Sequence, residues 1–529
     1  MFNNLRDEFC KDLERVSINL EKSCWDFYTN STPENMKKYE EVQEEYSKLF
    51  RNEEFYEKFK AVDKNSLSKH EQKQLKDLLK EFDEELNTGE ELKALRQKEN
   101  EIAGKFNSYV PQIDGKEITK TEIFKILQTE TNPEKRQKAY DAKIKGGDLI
   151  ADDMVEFVRM RNRFAQNKGY KNYFEYKLKE DYDVELDFLD RLIDETYSNS
   201  NDKIKVILEN KQNELKEFFK TDCLENYHYG LLLDSNPEKG VNEILEAQAQ
   251  LVKRVEKGVN EILERQDVVS ISKNIYKNMG YDIEELEKEG KITLDLFPRK
   301  GKNTHGFCFG VETGKDSRIL ANLTNNVTSL DTLNHELGHC VYDLGISLSL
   351  TYLDKRASSP AVTEAIAMMM GDIIKTENVL AGIVPAELLE KFKATHIEDE
   401  AGFVAKSLLI IDFERQFYAN PEQNPKELWN NLTYKYLNRK TEADNEWATI
   451  PHYLSHPAYY QNYFRANLMK VQIYNFLKSK LGNITENPES AKYMDENIFK
   501  FGASVEEYDL IKQLTGKEFS ADDFISSLN

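Results

Sequence analysis

The sequence predicts a mainly α-helical chain with one small antiparallel β-sheet, and three observations carry that expectation. Glycine (23) and proline (12) are sparse for 529 residues, while Lys, Glu, Leu and Asn abound, a mixture that favours helices. Stretches such as ENMKKYEEVQEEYSKLFRNEEFYEKFK from Glu34 and VEFVRMRNRFAQNKGYKNYFEYKL from Val155 set apolar residues three and four apart between charged faces. The exception runs from Lys291 to Leu323, where Gly and Pro punctuation and short β-prone runs read as two strands around a Thr-Gly-Lys-Asp turn.

In chain order this divides the molecule into an N-terminal helical part (1–290), the sheet (291–325), a candidate metal core (326–375) and a C-terminal helical part (376–529). Breaks fall at short turns, with no long linker. Within the first part, EKGVNEILEAQ from Glu238 recurs as EKGVNEILERQ from Glu256. The offset of 18 residues is about five helical turns, so the pair reads as a local duplication that lengthens one helix.

Composition also excludes partners. A net charge of −22 repels nucleic acid and anionic lipid, whose recognition needs clustered Lys and Arg. No window approaches the roughly 18 uninterrupted apolar residues of a membrane span, and acidic residues interrupt the N-terminus before any signal core. Five scattered cysteines (Cys10, Cys24, Cys223, Cys308, Cys340) contain no CxxC pair and suit a reducing compartment, so a cytoplasmic location is expected.

The chemistry concentrates at Asn334–His339, NHELGH, which matches HExxH: histidines four apart point from one helical face toward a common metal. Composition alone yields about 0.02 chance matches to H-[DE]-x-x-H in such a chain. Thr328 and Asp331 resemble a capping box, and Leu333, Leu337, Val341 and Leu344 form an apolar stripe beside the histidine face. A catalytic zinc takes three protein ligands plus water, and Glu364 is the only acidic residue between Asp354 and Asp372. Its helix is expected to be capped by Ser359 with Pro360 first, and its apolar neighbours imply a buried carboxylate for which a metal is the natural partner. The ligand set is thus His335, His339 and Glu364, holding one Zn2+ with an open position and a water whose pKa falls to about 7. Glu336 is placed to take that water's proton and deliver it to a leaving amine. Asp331, Asp343 and Asp372 are candidate acceptors for the histidine N–H groups.

Downstream, IPHYLSHPAYYQNYFRANLMKVQIYNFL sets His452, His456, Tyr459, Tyr460 and Tyr463 ahead of an apolar helical run, a set able to donate hydrogen bonds to an oxyanion.

These segments resemble the helical gluzincin peptidases: the angiotensin-converting-enzyme-like peptidyl-dipeptidases, and more distantly thimet oligopeptidase and oligoendopeptidase F. CWDFYTNSTPEN at Cys24 is similar to the W-x-Y-x-T-N-x-T segment of the first family, and RNRFAQNKGYKNYFEYKL to its Arg-Asn and Gly-Tyr helix. RILANLTNNVTSLDTLNHELGH through TEAIAMMMGD is similar to its metal core, and FKFGASVEEYDLIKQLTGKEF to its closing helices. The resemblance implies one catalytic unit of two lobes around a deep central groove, with the small sheet near the zinc. It also implies short peptide substrates and a peptidyl-dipeptidase or oligopeptidase activity, with a carboxypeptidase or a non-catalytic peptide-binding protein as alternatives. Carried over residue by residue, it assigns the metal to His335, His339 and Glu364 and the base to Glu336. It assigns substrate binding to His305, Gly306 and Tyr460, the oxyanion tyrosine to Tyr463, and the transition-state histidine to His452, with His456 as alternative. Two positions depart from the family's converting enzymes. Asn462 stands where they have a chloride-binding arginine, and Ile450 where a lysine grips the substrate carboxylate. Chloride activation and strict dipeptide release are therefore not implied. A disulfide of secreted members maps to Thr304 and Asn322, in keeping with a reducing compartment. Oligomeric state is not addressed by any of these residues.

Overall fold

The computed structural model describes residues 2–86, 89–229, 251–303, 306–441 and 444–528. It is mainly α-helical, with two small sheets among the described residues. The chain divides into two compact units, each assembled from three separated stretches.

The first unit comprises Met1–Gly89, Val259–Ala386 and Met469–Phe519. Its N-terminal helices Phe2–Thr29, Pro33–Phe50, Glu53–Lys60 and Lys69–Leu86 meet around Phe9, whose ring lies 5.4 Å from Phe50, 5.8 Å from Phe59 and 5.2 Å from Phe82. Each break between them is capped locally. Thr32 accepts the Asn35 N–H ahead of Pro33, and Asn52 accepts from Glu54 and Phe55.

A two-stranded hairpin, β1 (Gln112–Ile113) with β2 (Lys116–Glu117), sits in the second unit and was not foreseen from the sequence. The sheet of the first unit contains β3 (Ile292–Asp295), β4 (Phe307–Glu312) and β5 (Asp316–Leu320), in the order β3-β5-β4. The expected antiparallel pair is present, with Phe307 opposite Leu320 and Cys308 opposite Ile319. Its turn is made by Gly314 at φ +76°, a conformation open to glycine at little cost. The expectation of a purely antiparallel sheet is corrected by β3, which pairs parallel to β5. A parallel neighbour needs a crossover, here one that includes β4, and a turn-based reading of the sequence does not register it.

The second unit comprises Glu90–Gly258, Glu387–Leu468 and Ser520–Asn529. Its longest described helices are Leu186–Phe219 and Ala386–Ala419, the latter starting at the boundary, and its core includes Phe413, packed edge-on against Trp429 and tilted against Phe417, Trp447 and Tyr453. Of the duplicated segment, the first copy from Glu238 lies outside the described residues. The second lies on the Leu251–Leu263 helix, and its Asn260, in the first unit, accepts the N–H of Val327 at 2.7 Å.

Candidate metal centre and histidine–tyrosine cluster

Val327 opens the helix Val327–Gly345 that carries the HExxH segment. The cap is Asn326, whose side chain accepts the Ser329 N–H at 2.7 Å, and this corrects the Thr328–Asp331 capping box by two residues. Leu333, Leu337 and Val341 are buried as the stripe predicts, and Leu344 is partly so. The facing helix, Pro360–Thr376, begins as expected: Ser359 Oγ accepts the Val362 N–H at 3.3 Å and Pro360 takes the first position.

Two glycines let the helices approach. A Cβ on Gly338 would lie 3.0 Å from Ala367 Cα, and one on Gly371 would lie 2.9 Å from Asp331 Oδ1. This brings the three candidate ligands together. His335 Nε2 stands 3.6 Å from Glu364 Oε1, His339 Nε2 stands 3.7 Å from Glu364 Oε2, and one ligand atom of each residue falls within 4.8 Å of the others. Ligand atoms around a tetrahedral zinc lie about 3.3 Å apart, so two imidazole nitrogens and a carboxylate at these separations fit such an ion. The Glu364 side chain is 21% exposed, which corrects the expectation of a fully buried carboxylate. Its apolar neighbours cover the other faces of the helix and leave this one open.

Charges around His335 are negative. Desolvation works to lower the His335 pKa, yet Glu364, Glu336, Asp331 and Asp372 outweigh it and raise the net value. His339 is held well below its ordinary value by desolvation and by the neighbouring His335. Its Nδ1 lies 2.8 Å from Thr363 Oγ1, so a hydroxyl fixes this ring. Of the three carboxylates proposed as acceptors, Asp331 and Asp372 act on His335 through space. Asp343 is turned to the sheet, where it bonds Thr313 and Ser317 and lies under Gly310. Thr363 was missed, although its place beside Glu364 on the facing helix was a usable signal.

Glu336 is buried and accepts the backbone N–H of Cys308. Desolvation pushes its carboxyl up to about 7, with His335 opposing and Glu364 adding to the rise. Since β4 is an outer strand, that contact marks the edge of β4 facing away from β5. Gly306 borders the same carboxylate: a Cβ there would stand 3.6 Å from Glu336 Oε1. His305 and Thr304 lie outside the described residues.

The second constellation belongs to the other unit. The short helix His452–Ser455 and the start of Tyr460–Leu481 set the His452 ring 4.9 Å from Tyr460, 6.1 Å from Tyr459 and 6.3 Å from Tyr463. Desolvation, then the nearby His456, push the His452 imidazole down to about 4, and its Nδ1 has no hydrogen-bond partner among the described residues. His456 is exposed, and its Nδ1 lies 2.8 Å from Ser455 Oγ. Tyr460 and Tyr463 thus lie against His452, while Tyr459 stands between the two imidazoles, 6.1 Å from His452 and 6.0 Å from His456.

A mainly helical chain with two imidazoles one turn apart and a carboxylate from the next helix has the fold and the ligand set of a candidate zinc protein. Residues 126–529, which include that cluster, match the family model described as Peptidase family M3. Because that match covers more than half of the chain, the protein belongs to Peptidase family M3. Residues 3–224 match the model described as angiotensin-converting enzyme. The chain is also 25% identical over 266 residues to "Oligopeptidase PepF" of Bacillus subtilis (strain 168), covering 44% of this chain and 35% of that relative. It thus matches about a third of the length of that relative. Among the described residues, no helix is long and apolar enough to cross a membrane.

Proposed function

We propose that the protein is a zinc-dependent peptidase of short peptides, cutting as an oligopeptidase or a peptidyl-dipeptidase in the cytoplasm. The observation that carries this reading is the convergence of His335, His339 and Glu364 within 4.8 Å beside a buried Glu336, in a chain of Peptidase family M3. A relative named as an oligopeptidase supports the substrate class.

His335, His339 and Glu364 would hold the ion, which supplies a Lewis acid and an acidified water when bound. Glu336 takes a proton on a carboxylate oxygen and releases it to the leaving amine, roles that its buried place next to His335 supports. The β4 edge beside Gly306 offers backbone groups to an extended peptide, with His305 and Tyr460 as further substrate contacts. Tyr463 and His452 donate hydrogen bonds to the negative oxygen of the tetrahedral intermediate; an imidazole held neutral can donate without being a competing base.

The test is hydrolysis of a quenched fluorescent peptide library by the purified protein, with and without chelator, beside Glu336→Gln. Cleavage that is lost on chelation, restored by zinc and missing from the variant supports the reading, and product masses distinguish the two modes of cleavage. A metal-loaded wild type that binds peptides without cutting them overturns it.

A further inference from the structure

Within the second unit, the turn that carries His452 and leads to Tyr463 has no regular ladder of its own. It passes from the His452–Ser455 helix through Pro457 and Ala458 to the helix starting at Tyr460. Ala458 is buried at φ +61°, a conformation disfavoured for a residue with a Cβ, which therefore needs external support.

Two buried ionisable side chains supply that support. Arg161, 2% exposed, donates from Nη1 to the Tyr453 carbonyl at 2.8 Å and from Nη2 to the Leu454 carbonyl at 2.5 Å. The same Nη1 donates to the Tyr418 hydroxyl at 3.0 Å, and the guanidinium lies 3.9 Å over the Phe157 ring. Those two carbonyls directly follow His452, at the C-terminal end of a helix too short to satisfy them internally. Glu414, 3% exposed, accepts the Ala458 N–H on Oε1 at 2.9 Å. One side chain thus fixes the carbonyls before the left-handed residue and the other fixes its N–H.

We infer that Arg161 and Glu414 are positioning residues: together they hold the 452–460 turn so that His452 and Tyr463 present their donors in one fixed arrangement. The inference deepens the proposed peptidase reading and, for its catalytic consequence, rests on it. Arginine suits this task better than lysine, because a planar fork can hold two successive carbonyls and a hydroxyl at once while lying flat on an aromatic face. Burial pushes the Glu414 carboxyl up to about 8, against the Ala458 N–H and Arg161, which pull it down. An acid held largely neutral is well mimicked by glutamine, whose oxygen accepts the same N–H.

The test compares Arg161→Lys, Glu414→Leu and Glu414→Gln, with Tyr418→Phe removing only the hydroxyl that braces Arg161. Arg161→Lys and Glu414→Leu are expected to lower kcat by about 10- to 100-fold at nearly unchanged KM, since a misplaced oxyanion donor is felt in the transition state. Glu414→Gln is expected to retain wild-type kcat. In a Tyr463→Phe background the Arg161→Lys step is expected to cost far less than alone, because the two act through one constellation. Wild-type kcat in Arg161→Lys and Glu414→Leu, or an undiminished Arg161→Lys effect in that background, overturns the inference.

An arm that needs no activity is the imidazole resonance of His452 in 15N-histidine-labelled protein, assigned with His452→Gln. It is expected to shift in Arg161→Lys and Glu414→Leu and to stay in place in Glu414→Gln; an unmoved resonance in all three overturns the positioning role. If Arg161→Lys does not fold, Tyr418→Phe takes its place in both arms, and the same outcomes decide. A wild type that never cleaves peptides overturns the peptidase reading alone, and the resonance arm still decides this one.

Discussion

His335 and His452 are the same residue in opposite electrical settings. Around His335 stand Glu364, Glu336, Asp331 and Asp372, and the sum of their charges raises its pKa despite desolvation. Around His452 stand Tyr459, Tyr460, Tyr463 and a second imidazole, that of His456; burial, then that imidazole, hold it at about 4. The first setting attracts positive charge and the second keeps a neutral N–H available for a negative atom. On the proposed peptidase reading, the first setting would suit a cation and the second an oxygen that becomes negative.

That contrast is open to attack from either side. The largest effect is expected from Glu336→Gln, which should lower kcat/KM by about 10²–10⁴-fold while elemental analysis still finds the metal bound. Loss of the metal along with the activity would show the carboxylate to be structural. Tyr463→Phe should lower kcat by about 10²–10³-fold without changing metal affinity. A weakened metal in that variant would break the division of labour between the two settings. Thr363→Val removes the hydroxyl partner of His339 and should weaken metal binding by about 10- to 100-fold, read by competition with a chelating dye. The smallest effect concerns stability. Between a folded pKa of about 4 and the ordinary 6.5, His452 is protonated when unfolded and neutral when folded, so the unfolded state binds more protons and stability rises with pH. Denaturation curves of His452→Gln should be flatter than wild type across that interval, and an identical slope would mean that the imidazole is not held neutral.

Local signals were read well from the sequence and distant ones were not. Ser359 and Pro360 cap their own helix, so the start of that helix needs only neighbouring residues, and the four-residue spacing of His335 and His339 needs only a helix. Asn326 was passed over because Thr328 offers an equally plausible cap two residues on, and the two are told apart only by the backbone, extended at Asn326 with its side chain on the Ser329 N–H. The strand β3 was hidden for a topological reason, since parallel pairing leaves no turn signature at either end. The burial of Glu364 was overstated because its apolar neighbours point elsewhere around the helix. Arg161 and the carbonyls it holds are separated by some 290 positions, and no periodicity connects them. The family resemblance reached further than these local rules, and Peptidase family M3 membership now covers the cluster itself.

Gly338 and Gly371 contribute no side chain at all, and that absence has a mechanical meaning. Each faces the opposite helix at the point where a methyl group would strike backbone or a carboxylate. The gap between the jaws of the clamp is therefore machined by two hydrogens, while the histidines and the glutamate merely fill it. A methyl at position 338 would act as a shim, opening the bite by a few tenths of an ångström without touching any ligand. The caliper that decides how wide the space between the three candidate ligands stands is thus set in the backbone, by residues that touch no ligand atom themselves.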